Sequence, residues 1–259
     1  MPLPLVDFVR TEDIPAVTWA VPLDGQAGPE ATVRTLNADP ASGARTAVVD
    51  LPGGLRLPDG HWTCDLEVLL LEGAMFVGDR PVERYGYLFA PRGVALGPLT
   101  VAAQGARVLV FTDGQPGLIP AEADAPGAPR HRLVEPVHAA DVPWERPRTS
   151  GFPAGGGRKT LREDPDTGQS FWLLGLLAHW SSPLTEWHTF AEENYVLEGT
   201  VQTAVGLMVP GSYLAHPPGE HTVHGPMRSR TGALLLTRAV GPLGTTYRPA
   251  EQDLPGEWR

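Results

Sequence analysis

The sequence predicts an all-β chain built as two tandem copies of one barrel, on three observations. The first is internal repetition. The segment Thr35-Leu36-Asn37-Ala38-Asp39-Pro40-Ala41-Ser42-Gly43 reappears as Thr160-Leu161-Arg162-Glu163-Asp164-Pro165-Asp166-Thr167-Gly168 at an offset of 125. Val17-Thr18-Trp19 answers Val142-Pro143-Trp144 at 125, and Leu71-Glu72-Gly73 answers Leu197-Glu198-Gly199 at 126. Gly86 aligns with Gly211 and Gly97-Pro98 with Gly225-Pro226, and the apolar run 108–111 aligns with 233–236. An offset held over so much of the chain is the signature of a duplicated unit. The second observation is composition: 30 glycines and 28 prolines without a Gly-X-Y period mean many turns between short strands. The third is the absence of any long stretch with a helical period, which leaves closure into a sandwich or barrel as the way to hide strand edges.

The elements follow in order within each copy. Thr46-Ala47-Val48-Val49 and the runs 67–71, 85–89 and 108–111 have strand length and strand composition, separated by Gly, Pro and Asp punctuation such as Arg80-Pro81, Asp113-Gly114 and Pro210-Gly211. The Pro-, Ala- and Gly-rich stretch 114–129 reads as the seam, giving an N-terminal domain over 1–125 and a C-terminal domain over 126–259. The glycine-rich stretch 151–160 ends in Gly157-Arg158-Lys159-Thr160 and lacks the Gly-Lys-Ser/Thr close of a phosphate loop, so it reads as a surface loop.

Charge and cysteine usage narrow the function classes. With 20 basic residues against 30 acidic ones, a net charge of −10 and Lys159 as the only lysine, neither nucleic acid nor an anionic membrane is an expected partner. A single cysteine, Cys64, excludes an intramolecular disulfide and a Cys-rich zinc site. The N-terminus shows no basic and apolar leader pattern, and a cytoplasmic location is the expectation. A small-molecule substrate is the expected partner, with a homodimer as a candidate assembly.

The second copy carries the chemistry. Glu186-Trp187-His188-Thr189-Phe190-Ala191-Glu192 places Glu186 and His188 on one face of a strand, with Glu192 following after a turn. About thirty residues on, Pro217-Pro218-Gly219-Glu220-His221-Thr222-Val223-His224 supplies a turn and two more histidines. Two imidazoles and a carboxylate converging inside a barrel suit a divalent iron, manganese, nickel or zinc ion. His188, Glu192 and Gly199, then Gly211, Pro217 and Gly219, fall at the spacings of the two cupin motifs, and the chain resembles a bicupin of the ChrR-like type. The resemblance implies two fused double-stranded β-helix (jelly-roll) barrels and one divalent transition metal per chain, iron first, with Zn, Mn or Ni as alternatives.

Carried over residue by residue, the resemblance makes His188 and Glu192 ligands. Glu186 stands where the motif has its first histidine and becomes a fourth ligand or, unligated, a catalytic base. Thr222 stands at the position of the second motif's histidine, so His221 and His224 compete for that role; strand alternation and the alignment of Gly225-Pro226 with Gly97-Pro98 favour His224. His179, Tyr195, Tyr213 and His216 are expected around the pocket, with apolar walls from Phe171, Trp172, Leu174 and Met208 and no arginine in the motif strands. In the first copy Gly60, Trp62, Leu66 and Leu96 occupy the ligand positions, which predicts a metal-free scaffold whose pocket those side chains fill. The expected activity is a non-haem Fe(II) dioxygenase acting on a small carbonyl or diketone-like compound. A redox-neutral isomerase, cyclase or decarboxylase, or a ligand- or metal-sensing module, are the alternatives.

Overall fold

A computed structural model describes residues 3–24, 26–251 and 254; the extreme ends of the predicted domains, residues 1, 2 and 255–259, lie outside the described residues. The described chain is strands, turns and three short 3-10 segments. It divides into two compact units, Ile14–Asp141 and Val142–Arg259, the second completed by the N-terminal segment through Asp13. The division therefore falls at Asp141 and not in the 114–129 stretch. Residues 118–120 of that stretch form a strand against Gly60–Trp62, inside the first unit.

Each unit is a curled jelly-roll, and the two share a strand order. In the first, Gln26–Ala38, Arg45–Leu51, Leu99–Thr112, Leu66–Val77, Gly86–Ala90 and Val134–His138 hydrogen-bond in that sequence. In the second the order is Gly156–Glu163, Ser170–Leu176, Ala233–Val240, Ala191–Gly199, Ser212–His216 and Val6–Arg10. The last strand of each series comes from the segment that precedes the other copy: Val6–Arg10 closes the second unit and Val134–His138 the first.

The repeated motifs have physical causes. Thr35 pairs with Ala47 and Thr160 with Trp172, each followed by a bulge, and Asp39 and Asp164 then cap the same tight turn through their carboxylates. The turn ends on Gly43 and Gly168, at φ +78° and +68°, where L side chains are strained. In the Leu-Glu-Gly repeats, a Cβ on Gly73 would sit 2.1 Å from the Gly105 carbonyl oxygen, and one on Gly199 2.0 Å from that of Gly232. Only glycine allows that approach. Buried pairs repeat too. The Tyr87 hydroxyl donates to Glu67 at 2.6 Å and the Tyr213 hydroxyl to Glu193 at 2.6 Å. That equivalence sets the offset at 126 and places Gly211 opposite Tyr85, one residue from the alignment with Gly86.

The core of the second unit lies between two sheets. Leu176, Val196, Leu214 and Leu235 from the six-stranded sheet meet Trp180, Val201 and Met208 from the four-stranded one. Because side chains alternate along a strand, Glu192 and Asn194 face this interior and Glu193 and Tyr195 face away. The cavity that results is the one that holds the chemistry.

Candidate metal centre

Four polar side chains converge at one end of the second unit's interior. Glu186 and His188 lie on Leu184–His188, Glu192 on Ala191–Gly199, and His224 on the segment that follows the Pro217-Pro218 turn. Glu186 and His224 are tied backbone to backbone, with N–H to carbonyl distances of 2.8 and 3.0 Å in the two directions, which sets their side chains on one face. His224 Nε2 lies 3.5 Å from Glu186 Oε1, 3.3 Å from Glu192 Oε2 and 3.3 Å from His188 Nε2, and His188 Nε2 lies 3.3 Å from Glu192 Oε2. All four side chains are nearly buried.

The outer ring nitrogens are engaged elsewhere, which orients the inner ones. His188 Nδ1 sits 2.9 Å from the Thr245 hydroxyl, and Phe190 stacks against the same ring at 4.5 Å. His224 Nδ1 lies 3.1 Å from His216 Nδ1. Burial and the neighbouring His224 push His216 down to about 4, so it is a neutral acceptor for the proton on His224 Nδ1. His224 itself, although burial opposes its charge, is raised to about 10 by hydrogen bonds and Coulomb attraction from Glu186 and Glu192. Burial raises Glu192, but His188 and His224 outweigh it and hold the carboxyl well below its ordinary range. Burial and the facing Glu186 push the Tyr247 phenol up, so Tyr247 stays a protonated donor to Glu186.

These residues fit a divalent cation. Donors about 2.0–2.2 Å from one ion stand roughly 3.0–3.5 Å apart, which matches the separations here. Glu192 Oε2 is buried and aimed into the middle of the cluster, 3.3 Å from both His188 Nε2 and His224 Nε2. Two carboxylates and two neutral imidazoles around a doubly charged ion make an uncharged assembly, the condition for burying it at low cost. A mixed nitrogen and oxygen set of this kind suits Fe, Mn, Zn or Ni.

Other expected site residues lie elsewhere. His221 is exposed, above the Gly219 turn, and stands outside the cluster. His179 is exposed in a left-handed turn (φ 63°), so it does not look into the barrel. Tyr195 and Tyr213 are buried but on the outward face of their strands: Tyr195 meets Thr11, and Tyr213 meets Glu193, which also pairs with Arg238 at 2.6 Å. Phe171, buried on Ser170–Leu176, is likewise not a wall of the cavity. His216 belongs to the site, behind His224 rather than on the cavity surface.

The cavity of ≈80 Å³ next to the cluster has walls from Trp172, Leu174, Met208 and Leu235, and also from Arg148 and Arg158. Neither arginine lies on a motif strand: Arg158 comes from Gly156–Glu163 and Arg148 from the segment before it. Arg158 is 3% exposed; its guanidinium lies over the Trp172 ring at 4.3 Å, its Nε donates to Thr160 at 2.9 Å, and Nη2, buried without a hydrogen bond, faces the Glu163 carboxylate at 3.6 Å. Burial, with Arg148 nearby, lowers Arg158 only to about 10, so it remains a cation. Arg158, Thr245 and Tyr247 were beyond sequence reasoning. The stretch 151–160 looked like a loop, and nothing in the C-terminal 245–249 strand marks it as the partner of Leu184–His188.

The chain contains two jelly-roll barrels of the cupin kind, and the second carries inward histidines and glutamates at one end. The chain belongs to the family described as Domain of unknown function (DUF4437), whose model matches residues 9–246. Among solved structures it is similar to a protein from Nostoc punctiforme PCC 73102 described as a "putative dioxygenase", at 25% identity and a TM-score of 0.86 over 95% of this chain and 87% of that one. It also shares its fold with an oxalate decarboxylase variant from Bacillus subtilis (10% identity, TM-score 0.61, 94% of this chain and 79% of that one). A salicylate 1,2-dioxygenase variant from Pseudoaminobacter salicylatoxidans is a further fold match (13% identity, TM-score 0.55, 80% and 76%). No curated protein matches the sequence. No helix among the described residues is long and apolar enough to cross a membrane.

Proposed function

We propose that the chain is a bicupin enzyme with one divalent metal, held in the second unit by Glu186, His188, Glu192 and His224, and that it acts on a small carboxylate-bearing carbonyl compound. The observation that carries the reading is the convergence of Glu186, His188, Glu192 and His224 beside a cavity lined by the buried Arg158, whose Nη2 has only the Glu163 carboxylate at 3.6 Å opposite it. The similarity over nearly the whole chain to the Nostoc punctiforme protein described as a "putative dioxygenase" supports the dioxygenase class, and the mixed nitrogen and oxygen donor set makes iron the first metal to try. When bound, the metal would act as a Lewis acid and as a docking point for substrate oxygens.

The remaining work falls to side chains of this chain. Arg158 offers its buried guanidinium to a substrate carboxylate, a charge-assisted bond made stronger by the apolar surroundings. The Trp172 ring fixes the guanidinium plane and forms an apolar wall that keeps water from the reacting carbon. Tyr247 holds its proton at Oη toward Glu186 and so positions that carboxylate as a ligand; an unligated Glu186 would instead be the group that takes a proton from an enolisable substrate.

The test is a panel of 2-keto acids and neutral β-diketones offered to protein reconstituted with Fe(II) or Mn(II), with oxygen uptake and CO2 release followed together. Oxygen consumption with the acids in the Fe(II) form is the expected result. Replacing Arg158 by Met should raise KM for the acids by about 100-fold while leaving binding of neutral compounds unchanged, the loss of one charge-assisted hydrogen bond in a buried site. Acid turnover in the Mn(II) form without oxygen would replace the dioxygenase by a decarboxylase, and indifference to Arg158→Met would remove the carboxylate.

A further inference from the structure

The first unit keeps the geometry of the metal site and none of its chemistry. Leu96 pairs with Gly60 as His224 pairs with Glu186, and Leu66 pairs with Ala90 as Glu192 pairs with His216. Every donor position is apolar or glycine, as the sequence predicts. The prediction that those side chains fill the pocket is not met: a cavity of ≈110 Å³ remains, with Trp19, Trp62, Leu66, Val68, Met75 and Leu88 among its walls. An empty apolar cavity destabilises a protein in proportion to its volume, because the lining atoms lose their contacts.

A second observation points into the same space. Thr112, on Leu99–Thr112 directly across from Leu66, lines the cavity. It is 4% exposed, and its Oγ1 is buried with no hydrogen-bond partner. A water there would need two to four polar partners. Besides that hydroxyl and the indole N–H groups of Trp19 and Trp62, the polar side chain on the wall is Arg45, half-buried and already committed to the Gln115 side chain at 2.5 Å and the Gly43 carbonyl at 3.3 Å. Water is therefore a poor occupant, and a carboxylate would find no uncommitted cation.

We propose that the cavity of the first unit is a binding site for a small, uncharged, hydrophobic molecule of about one ring, carrying a single hydroxyl or carbonyl that hydrogen-bonds Thr112. The size follows from the volume: an apolar cavity of about 150 Å³ stays dry and takes benzene. The two indole rings supply flat walls for a ring of that kind. The site rests on the first unit alone and is independent of the metal centre.

Phenol, toluene and benzoate serve as probes, titrated into the full-length chain by calorimetry, with the indole NH signals of Trp19 and Trp62 and the Met75 methyl followed by NMR. Phenol and toluene should bind one per chain with Kd at or below about 1 mM, and benzoate at least about tenfold more weakly. Thr112→Val keeps the shape and removes the hydroxyl; it should weaken phenol about tenfold and leave toluene unchanged. The same variant should raise the Tm of the ligand-free chain, because an unpaired buried hydroxyl becomes a methyl. Saturation should leave Trp172 and Met208 of the second unit unshifted. The proposal is overturned if neither neutral probe binds in that range, if Thr112→Val binds phenol as wild type does, or if the shifts fall on Trp172 and Met208.

Discussion

His224→Ala is expected to abolish metal retention, lowering affinity by well over about 100-fold, the upper end of what loss of a mere supporting residue costs. The reason is position. His224 Nε2 lies within 3.5 Å of a donor atom on each of the other three, so its removal opens the cluster. The metal-free variant suffers as well, since Glu186 and Glu192 both lose the His224 imidazolium and His188 alone is left beside Glu192. Breaking a buried pair in this way costs about 3–5 kcal/mol, reduced if one carboxyl takes up a proton. Metal content after dialysis, with thermal melts of the metal-free proteins, measures both effects. Leu96→Ala, at the equivalent place in the first unit, should leave metal content unchanged. Retention of metal by the His224 variant would remove it from the ligand set.

The second large effect is on pH. In the metal-free protein His224 is raised to about 10, above the ordinary value of 6.5, so its contribution to stability is complete below 6.5 and is lost as pH rises through 10. Glu192 is depressed, so its contribution is present above its ordinary value of 4.5 and is lost as pH falls through its folded value. A metal must displace the His224 proton. Apparent affinity should therefore climb about tenfold per pH unit from 6.5 toward 10, releasing about one proton per ion bound. Competition titrations against a chelator at several pH values give the slope. A flat profile above 6.5 would mean that the imidazole is already neutral and that the two carboxylates do not hold a proton on it.

The sequence made the barrels legible where sterics dictate residue type. The Asp-Pro turn ending on Gly43 or Gly168 and the crowded glycines Gly73 and Gly199 can hardly be anything else, so the repeat survives in them. Strand alternation put Glu186 with His188, and the Gly97-Pro98 alignment singled out His224. The first unit repeats the Glu186–His224 backbone pairing as Gly60 with Leu96. What stayed hidden depends on contacts distant in sequence. The exchange of Val6–Arg10 and Val134–His138 between units leaves no local mark, which is why the seam was misplaced. Tyr195 and Tyr213 were assigned to the pocket because their strands line it, but their parity turns them outward. Three glycines before Arg158 give its stretch the composition of a loop, yet it lies on a strand paired with Ser170–Leu176. The first unit's cavity could not be inferred at all, since apolar residues fill a space or enclose one with equal ease.

The central claim is one metal, in the second unit, on four named side chains. It is tested most directly by an anomalous-difference map from crystals of Fe(II)- or Mn(II)-loaded protein, recorded at the metal edge. The account predicts a single peak per chain, enclosed by Glu186, His188, Glu192 and His224, with no peak beside Trp62, Leu66 and Leu96. A peak in the first unit, or a second-unit peak held by His221 or His179 in place of these residues, would contradict it.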